Sequence, residues 1–444
     1  MNVEDQLRAA GRAVRDQVRD LPELDLMRSG PAHPGTRPGA PRRWRDGWLI
    51  PLAAAAAVII VAATLVSVRA LSGPARPGAG QPGTATSGAA ANPSQVPAYY
   101  AAITKPTAAG PYDVTIADTA TGKALFTIKP PKNTSFASVA AAGDDRTFVV
   151  SVGSFPLNSS PPMAALSWDL LRFSPGATGY TLRRLPIPAT PPKTVIDGLA
   201  LSPDGTELAV MVHPDTLAGF IGGQATLRIY SVATGQVLHT WQSAGGQTPE
   251  AIGADGISAD TTIRWLANGH ELAFAWDAVE RGQGYPKVTP EVWRLDLAKP
   301  RGSSLLAGDA RVVTIPAGVN GSCSAVYPTA DGTSAVCGTQ AMVPCQETLP
   351  PLVFRAYSGD EGSFRVLYTV PSAKAPKGKC IDGIASVFWA SPSGSTLVGM
   401  VSTAPASSSG VPGQYTSVVG VIAHGRWTPL PIRVQLSQLA GLAF

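Results

Sequence analysis

The spacing of hydrophobic and polar residues changes once along the chain, close to residue 97. Residues 48–68, which begin at Trp48 and end at Val68, form a run of 21 positions without a charge, WLIPLAAAAAVIIVAATLVSV. At a helical rise of about 1.5 Å per residue, such a run spans the roughly 30 Å hydrocarbon core of a bilayer. Beyond residue 97, short apolar segments alternate with turn residues, as is typical of strands. The pattern therefore predicts one transmembrane helix followed by a β-rich domain.

Flanking arginines predict the direction of this helix. Five arginines lie at positions 28–45, just before the helix, and two lie at positions 69–76, just after it. Because cytoplasmic flanks carry the excess of basic residues, we expect the N-terminus in the cytoplasm and residues 69–444 outside it. A cleaved signal peptide is an alternative, since Val68-Arg69-Ala70 loosely matches a cleavage site, but a 47-residue leader is atypical of one. A buried core helix would be amphipathic, whereas this run is apolar on all sides.

Residues 1–47 are predicted to form a cytoplasmic leader. Within it, residues 2–21 have helical spacing, Asn2 can cap the helix, and Pro22 ends it. A helix of this length is only marginally stable alone in water, so its apolar face is expected to bind a cytoplasmic protein through residues 1–25 or to lie on the membrane surface. A partly frayed helix without a dedicated partner is the alternative.

The segment between the membrane helix and the β-rich domain is predicted to be a flexible linker. Residues 69–96 are rich in Gly, Pro, Ala, Ser and Thr. The linker contains GAGQPG at residues 78–83, a formal match to the dinucleotide-binding fingerprint. No strand precedes this match and Pro82 would break the helix that should follow, so no cofactor is predicted.

Beyond residue 97, two kinds of hairpin recur with nearly the same period. The first has a tight turn that recurs at intervals of about 62 positions, centred at Asp144, Asp204, Asn268, Asp331 and Ser393. The second has a turn glycine that recurs at intervals of about 60 positions, at Gly122, Gly179, Gly235, Gly302, Gly362 and Gly425. Two interleaved series with nearly one period predict a four-stranded unit of two hairpins, which is the blade of a β-propeller.

The two series differ by one member, and the ends of the chain account for the difference. The C-terminal AGLAF, residues 440–444, resembles the strand before a first-type turn, and PAYYAAI, residues 97–103, is placed like the strand after it. Pairing these two segments would close the ring and remove exposed sheet edges. The sequence thus predicts an all-β, six-bladed propeller over residues 97–444, with seven blades as the alternative.

Two short motifs resemble a known family. SPDG at residues 202–205 and YSVATG at residues 230–235 are similar to the WD40-like repeats of TolB-type propellers of the bacterial envelope. The resemblance implies a fold rather than an activity, because such propellers mostly bind proteins or ligands. No WD dipeptide ends a blade here, and a period of about 62 residues exceeds the roughly 40 to 45 of WD40 units. The extra length is expected in the loops at residues 154–163, 217–223 and 340–351, which are therefore candidate binding loops.

Composition supports a turn-rich β protein with a sizeable core. Hydrophobic residues make up 44% of the chain and charged residues 15%, and the 46 Gly and 41 Pro exceed what long helices tolerate. The net charge of only +5, without a dense basic run in the β-rich part, argues against a nucleic-acid partner. The excess of Arg over Lys, with abundant Ala, Gly and Pro, is typical of a GC-rich bacterial genome.

All four cysteines lie in the predicted extracytoplasmic domain, at Cys323, Cys337, Cys345 and Cys380. This distribution is expected in an oxidising compartment. Cys323 and Cys337 flank the predicted turn at Asp331 and could face each other across a hairpin, which would leave Cys345 to pair with Cys380. Three connectivities are open. A zinc site is a weaker alternative, because the sequence has no C-x-x-C and no His between these cysteines.

No catalytic residue is predicted. The sequence has no G-x-S-x-G elbow, H-E-x-x-H helix, Walker loop or S-x-x-K motif. His213, His239 and His270 fall in or beside predicted strands and turns, where a surface or core role is the usual one. A propeller can nevertheless assemble a catalytic site from distant blades, so an anchored envelope hydrolase or lyase is the second functional hypothesis.

The leading hypothesis is a binding or sensing protein that engages an envelope protein or ligand outside and a cytoplasmic protein inside. Membrane-anchored anti-sigma factors resemble this layout, which makes a sigma factor one candidate partner for the leader. The leader has no cysteine, so the zinc-binding pattern of many such proteins is missing. A purely structural role is a third hypothesis that the residues do not separate from the first.

Overall fold

The protein is all-β over the part of the chain that the structure describes. The computed structural model describes residues 96–444 except 108–109, 155–164, 177–178, 215–224, 244–247, 250–262, 281–286, 299–303, 307–309, 317–321, 342–347, 360–361, 376–379, 407–414 and 435–437. Within these residues no helix is long and apolar enough to cross a bilayer. The predicted leader, membrane helix and linker lie outside the described residues.

Three four-stranded antiparallel sheets form the first half of the fold. Sheet A has the order β25-β1-β2-β3, with β1 Tyr99–Thr104, β2 Asp113–Asp118, β3 Ala124–Ile128 and β25 Leu439–Ala443. Sheet B has the order β4-β5-β6-β7, with β4 Thr134–Ala141, β5 Thr147–Ser154, β6 Ser167–Phe173 and β7 Tyr180–Arg184. Sheet C has the order β8-β9-β10-β11, with β8 Thr194–Leu201, β9 Glu207–Pro214, β10 Thr226–Ser231 and β11 Val237–Gln242.

Two larger sheets follow. In sheet D, β12 Thr248–Pro249 and β13 Ile263–Trp265 both pair with β14 Glu271–Glu280, which is followed by β15 Lys287–Asp296 and β16 Ala310–Thr314. Sheet E has eight strands: β17 Ser322–Pro328, β18 Ser334–Ala341, β19 Val353–Ser358, β20 Ser363–Thr369, β21 Cys380–Ala390, β22 Thr396–Ala406, β23 Thr416–Ala423 and β24 Arg426–Pro429. Its halves, β17–β20 and β21–β24, are joined by β18 and β21, at Gln340↔Ile384 and Ala341↔Gly383.

The predicted pairing of the chain ends is confirmed. β25 pairs with β1 in antiparallel register, with Ala443 opposite Ala101 and Leu442 opposite Ala102. The last strand of the chain thus becomes the first strand of sheet A, and sheet A contains both ends of the β-rich domain. The Phe444 ring packs on Tyr100 with centroids 5.6 Å apart, which adds an aromatic contact to this closure.

The leading strands of successive sheets contact one another in a cycle. We call β25, β4, β8, β13, β17 and β21 the inner strands; contacts join β25 to β4, β4 to β8, β8 to β13, β13 to β17, β17 to β21, and β21 to β25. In the described residues, buried hydrophobic clusters fill the spaces between neighbouring sheets, as in Phe136 with Ile116 between sheets A and B and Trp276 with Met211 between sheets C and D. Face-to-face packing of radially arranged sheets defines a propeller-like fold.

The turns of the first predicted series lie where they were expected. Asp144, Asp204, Asn268, Asp331 and Ser393 occupy the turns that follow β4, β8, β13, β17 and β21. In the second series, the turn glycines Gly122, Gly235, Gly362 and Gly425 have positive φ. The turn after β6 differs from the prediction, because Gly176 rather than Gly179 has the left-handed conformation. Gly302 lies outside the described residues.

Candidate functional site at the loop edge

Strand alternation separates two edges of the fold. Because the strands in each sheet are antiparallel, the turns that follow the inner strands and the outer hairpin turns emerge at one edge, which we call the turn edge. Connections from the second to the third strand, and those from one sheet to the next, emerge at the opposite edge, which we call the loop edge. The three long loops predicted as candidate binding loops all start at the loop edge. Most of their residues lie outside the described part.

The turn edge repeats one set of hydrogen bonds. The side chains of Asp144, Asp204, Asn268 and Asp331 each accept from a backbone N–H two residues further on, at 3.0 to 3.1 Å. The next residue in each of these turns is left-handed, with φ between 52° and 72°. Such side-chain acceptors and left-handed residues are the usual determinants of a tight turn. The turn edge is therefore set by local sequence.

Neighbouring turns are also bonded to each other. The N–H groups of Gly143, Ala267 and Asp331 donate to the carbonyl oxygens of Pro203, Ala330 and Pro392, at 2.8 to 3.1 Å. Each bond links a turn to the corresponding turn of the following unit. The outer hairpin turn of sheet C packs instead on the connection that follows β7, because a Cβ at Gly235 would lie 2.1 Å from the Pro186 carbonyl oxygen. The turn edge consequently has little free backbone for a ligand.

Arg264 reinforces the turn edge near the inner strands. This β13 side chain donates 2.8 Å to the Ala390 carbonyl oxygen and 3.4 Å to that of Pro328, which end β21 and β17. Its guanidinium lies 5.1 Å from the centre of the Tyr327 ring, in cation–π geometry. One side chain of sheet D therefore ties together both halves of sheet E.

The loop edge carries a buried acid paired with a histidine. His213, near the end of β9, has its Nδ1 2.7 Å from Oδ1 of Asp197 in β8. The Asp197 side chain is only 2% exposed and that of His213 is 23% exposed. Burial raises the pKa of the Asp197 carboxyl, and the hydrogen bond and charge of His213 act against this shift. A buried carboxylate that orients an imidazole is an arrangement found at binding and catalytic sites.

A β-bulge positions Asp197. The pairing of β8 with β9 shifts register between Ile196 and Gly198, so that Asp197 has no residue opposite it. The inner strand β17 has a bulge at the corresponding place before its turn, where Ser324 is skipped. Bulges redirect side chains and are frequent beside functional sites. The inner strands β8 and β17 thus have a bulge at the same distance before their turns. In β8 the bulged residue is Asp197.

A disulfide braces the fifth repeat. Cys323 in β17 and Cys337 in β18 are joined, with Cα atoms 5.6 Å apart. This is one of the pairings that the sequence left open, and it removes both residues from any zinc site. Cys345 lies outside the described residues and Cys380 begins β21. No group of three or more His, Cys, Asp or Glu side chains able to hold a metal occurs among the residues that the structure describes.

The histidines that the sequence singled out are scattered. His213 is at the loop edge, whereas His270 lies in the turn after β13 and His239 stacks on Trp241 with centroids 5.4 Å apart. Asp197 was not predicted as a site residue. A repeated tripeptide marks it, since Ile196-Asp197-Gly198 in β8 recurs as Ile381-Asp382-Gly383 in β21, and an acid inside an apolar strand requires a partner.

Comparison with solved structures gives propeller-like proteins, while no protein-family model and no curated protein matches the sequence. An Agrobacterium tumefaciens protein described as a TolB candidate is 12% identical, with a TM-score of 0.35, over 69% of this chain and 83% of that chain. The periplasmic gluconolactonase PpgL of Pseudomonas aeruginosa is 14% identical, with a TM-score of 0.40, over 78% of this chain and 98% of that chain. These likenesses assign neither a family nor an activity.

Proposed function

We propose that the sheets form a closed six-bladed propeller in which sheet E supplies two blades. The cyclic contacts of the inner strands support this count, because each half of sheet E contributes one inner strand. The hydrophobic cluster between these halves, which includes Phe354 and Val387, resembles the clusters between separate sheets. In the part of the chain that the structure describes, the two halves pair at two positions, so their union is a small extension of strand pairing between adjacent blades.

The propeller is proposed to lie outside the cytoplasm on a single-pass anchor. The uncharged run at residues 48–68 and the arginines before it support this arrangement. The Cys323–Cys337 disulfide agrees with an oxidising compartment. Reporter fusions test the topology: an enzyme that is active only outside the cytoplasm should work at the C-terminus and fail at residue 40. The reverse result, or release of the propeller by signal peptidase, would refute the anchor.

The proposed function is binding or sensing of an envelope protein or ligand at the loop edge. The observation that carries it is the contrast between the edges: turns at one edge are bonded to each other, whereas the other edge carries the long loops and the Asp197–His213 pair. Rigid scaffolds commonly present binding residues on such loops. Binding outside would be reported to a cytoplasmic protein, such as a sigma factor, through residues 1–25.

Photo-crosslinking at matched positions tests the binding site. A photoreactive amino acid would be placed at the exposed residues Lys132 and Lys193 on the loop edge and at Thr206 and Thr333 on the turn edge. In membranes, we expect discrete crosslinked products from the two loop-edge positions and none from the turn-edge positions. Equal products from both edges, or products from the turn edge alone, would contradict the assignment.

The Asp197–His213 pair supports a second candidate, an anchored hydrolase or lyase for envelope polymers. The carboxylate would hold the imidazole in one orientation for proton transfer. His213→Asn preserves a donor to Asp197 while removing the basic nitrogen. Loss of polymer turnover in this variant, with an unchanged unfolding midpoint, would favour the enzyme. Wild-type protein without turnover, but with crosslinks at the loop edge, would leave binding as the function.

A further inference from the structure

Charge is distributed unevenly over the β-rich domain. Residues 96–193, which span most of sheet A and all of sheet B, contain nine Lys or Arg and five Asp or Glu, a net charge of +4. Residues 194–444 contain 15 basic and 18 acidic residues, a net charge of −3. The basic excess is therefore confined to the first part of the domain. It is not apparent from the net charge of the whole domain, because the acidic excess of the second part nearly cancels it.

Burial strengthens this excess at the surface. Eight of the nine basic residues of this segment are exposed. Three of its five acids, Asp113, Asp145 and Asp169, are at most 8% exposed. Two of these acids sit beside a basic residue, since Arg184 binds Asp169 and Arg146 lies 3.7 Å from Asp145. The basic side chains of sheets A and B are consequently far more exposed to solvent than the acidic ones.

Four of these nine cations, all of them lysines, lie at the loop edge. Lys129 and Lys132 follow β3, and Lys193 precedes β8, in connections between sheets. Lys105 follows β1 and lies 5.4 Å above the Tyr112 ring. Arg183 and Arg184 end β7, but Arg184 is paired with Asp169 and the connection that follows β7 packs on the Gly235 turn, so neither arginine is grouped with the lysines.

Hydrogen bonds between side chains and the backbone hold two of these connections on the fold. The Tyr112 N–H donates to Ser135 Oγ at 2.9 Å, which holds the loop of sheet A against the start of β4. The Trp168 indole N–H donates to the Pro188 carbonyl oxygen at 3.2 Å, which holds the connection that leads to Lys193. We call the group Lys105, Lys129, Lys132 and Lys193 the basic loop-edge patch.

We propose that the basic loop-edge patch binds an extended anionic envelope polymer that carries phosphate or carboxylate groups. This inference rests on the proposed binding function and names its ligand class. Lysines spread along fixed connections, rather than one deep pocket, suit a chain of regularly spaced charges. Counterion release from such a polymer provides affinity without a specific side-chain geometry.

An anionic bilayer would be attracted by the same charges, but the entry point of the chain favours a polymer. The chain enters the propeller at Ala98, whose N–H donates 2.7 Å to Oδ2 of Asp145 in the turn after β4. The predicted linker therefore joins the fold at the turn edge. The basic loop-edge patch lies at the opposite edge, where it is available to material beyond the membrane.

The test uses the full-length chain in neutral detergent, with long-chain polyphosphate and a polyuronate as probes. The patch variant is Lys129→Gln, Lys132→Gln and Lys193→Gln, three exposed lysines without an ion pair among the described residues. The matched control is Lys123→Gln, Arg365→Gln and Arg426→Gln, which removes the same charge at exposed positions outside the patch. Binding is measured by fluorescence anisotropy over a series of salt concentrations.

Wild type and control should bind with similar affinity, and the patch variant should bind about tenfold or more weakly. Three fewer cations should lower the slope of log affinity against log salt by about 2, at roughly 0.7 per contact for a single-stranded polyanion. Preference for polyphosphate or polyuronate identifies the anionic group. Equal losses in both variants, no binding of either probe, or binding only to phosphatidylglycerol vesicles would overturn the proposal. Loop-edge crosslinks that persist without polyanion binding would leave the binding function standing.

Discussion

The turn edge and the loop edge are made by the same strands, yet they are held in different ways. At the turn edge, one local motif recurs from blade to blade, and neighbouring turns are joined through backbone hydrogen bonds. At the loop edge, each distinctive feature of the described residues is found at a single place: the Asp197–His213 pair in sheet C, the Cys323–Cys337 bond in sheet E and the basic patch of sheets A and B. The scaffold is therefore built from a repeated motif, whereas the candidate site consists of residues that do not follow the repeat.

This difference predicts where substitutions are costly. A repeated backbone contact cannot be moved without disturbing the adjacent blade, because protein interiors are closely packed. Exposed side chains at the loop edge can change without such a cost, since they contribute little to folding. Substitutions are therefore expected to be tolerated at the loop edge and to be costly at the turn edge.

The largest predicted effect is Gly235→Ala at the turn edge. Gly235 has φ of 73°, and an added Cβ would lie 2.1 Å from the Pro186 carbonyl oxygen. The left-handed backbone and the clash together should lower the free energy of unfolding by about 4 kcal/mol. Urea unfolding of the full chain in detergent, followed by tryptophan fluorescence, measures the loss.

Gly176→Ala is the matched control for this prediction. Its φ is 77°, but no atom lies within 4 Å of the added Cβ. Only the cost of the left-handed backbone remains for this variant, so the free energy of unfolding should fall by about 1 kcal/mol. Equal losses for the two variants would show that close packing between blades does not stabilise the turn edge.

The next largest effect concerns the loop edge. Cys323 and Cys337 are 14 residues apart, and replacing both by Ala should lower the free energy of unfolding by about 3 kcal/mol, as expected for closing a loop of this size. A reducing agent should bring wild type towards the variant. If wild type and variant unfold alike under oxidising conditions, the disulfide does not stabilise the blade.

Much of the fold could be predicted because the turn edge is encoded locally. Asp204 and Gly205 supply a side-chain acceptor and a left-handed residue, so SPDG is recognisable without any knowledge of its neighbours. The pairing of β25 with β1 could also be predicted, because counting repeats left one hairpin incomplete. Periodicity carries information about whatever recurs.

The candidate site could not be predicted in the same way. His213 was expected to have a surface or core role, and only the register of β8 with β9 brings it to Asp197. A bulge changes that register by one residue, and apolar alternation does not show where a bulge lies. The joining of β18 to β21 was equally hidden, because it depends on contact between strands far apart in sequence.

A smaller difference in unfolding free energy is expected when one side chain is truncated at each edge. Oδ1 of Asp331 accepts from the Thr333 N–H at 3.0 Å and from the Thr329 hydroxyl at 2.6 Å. Asp331→Ala should therefore cost about 1 to 2 kcal/mol of unfolding free energy. Lys193→Ala at the loop edge should change it by less than about 0.5 kcal/mol. A larger loss for Lys193→Ala would invert the comparison.

The smallest predicted effect is on the pH dependence of stability. Asp204 at the turn edge and Asp113 at the loop edge should contribute to it with opposite signs. Burial tends to raise the pKa of Asp204, but hydrogen bonds from Ser202 and Thr206 outweigh it and the pKa is lowered. Burial raises the pKa of Asp113, against the opposing charge of Lys129. Asp204 therefore stabilises the fold above its unfolded pKa of about 4, and this contribution is lost as the pH falls. The contribution of Asp113 is complete below about pH 4 and is lost as the pH rises.

Asn variants at the two positions should separate these contributions, because neither variant titrates there. From pH 7 to pH 3, the stability advantage of wild type over Asp204→Asn should shrink, since protonation removes what the carboxylate provides at the turn. Over the same range, the stability of wild type relative to Asp113→Asn should increase, since the buried carboxyl becomes neutral. Urea unfolding at each pH measures both differences. Parallel pH trends for the two variants would mean that the two edges do not differ in how they hold acidic side chains.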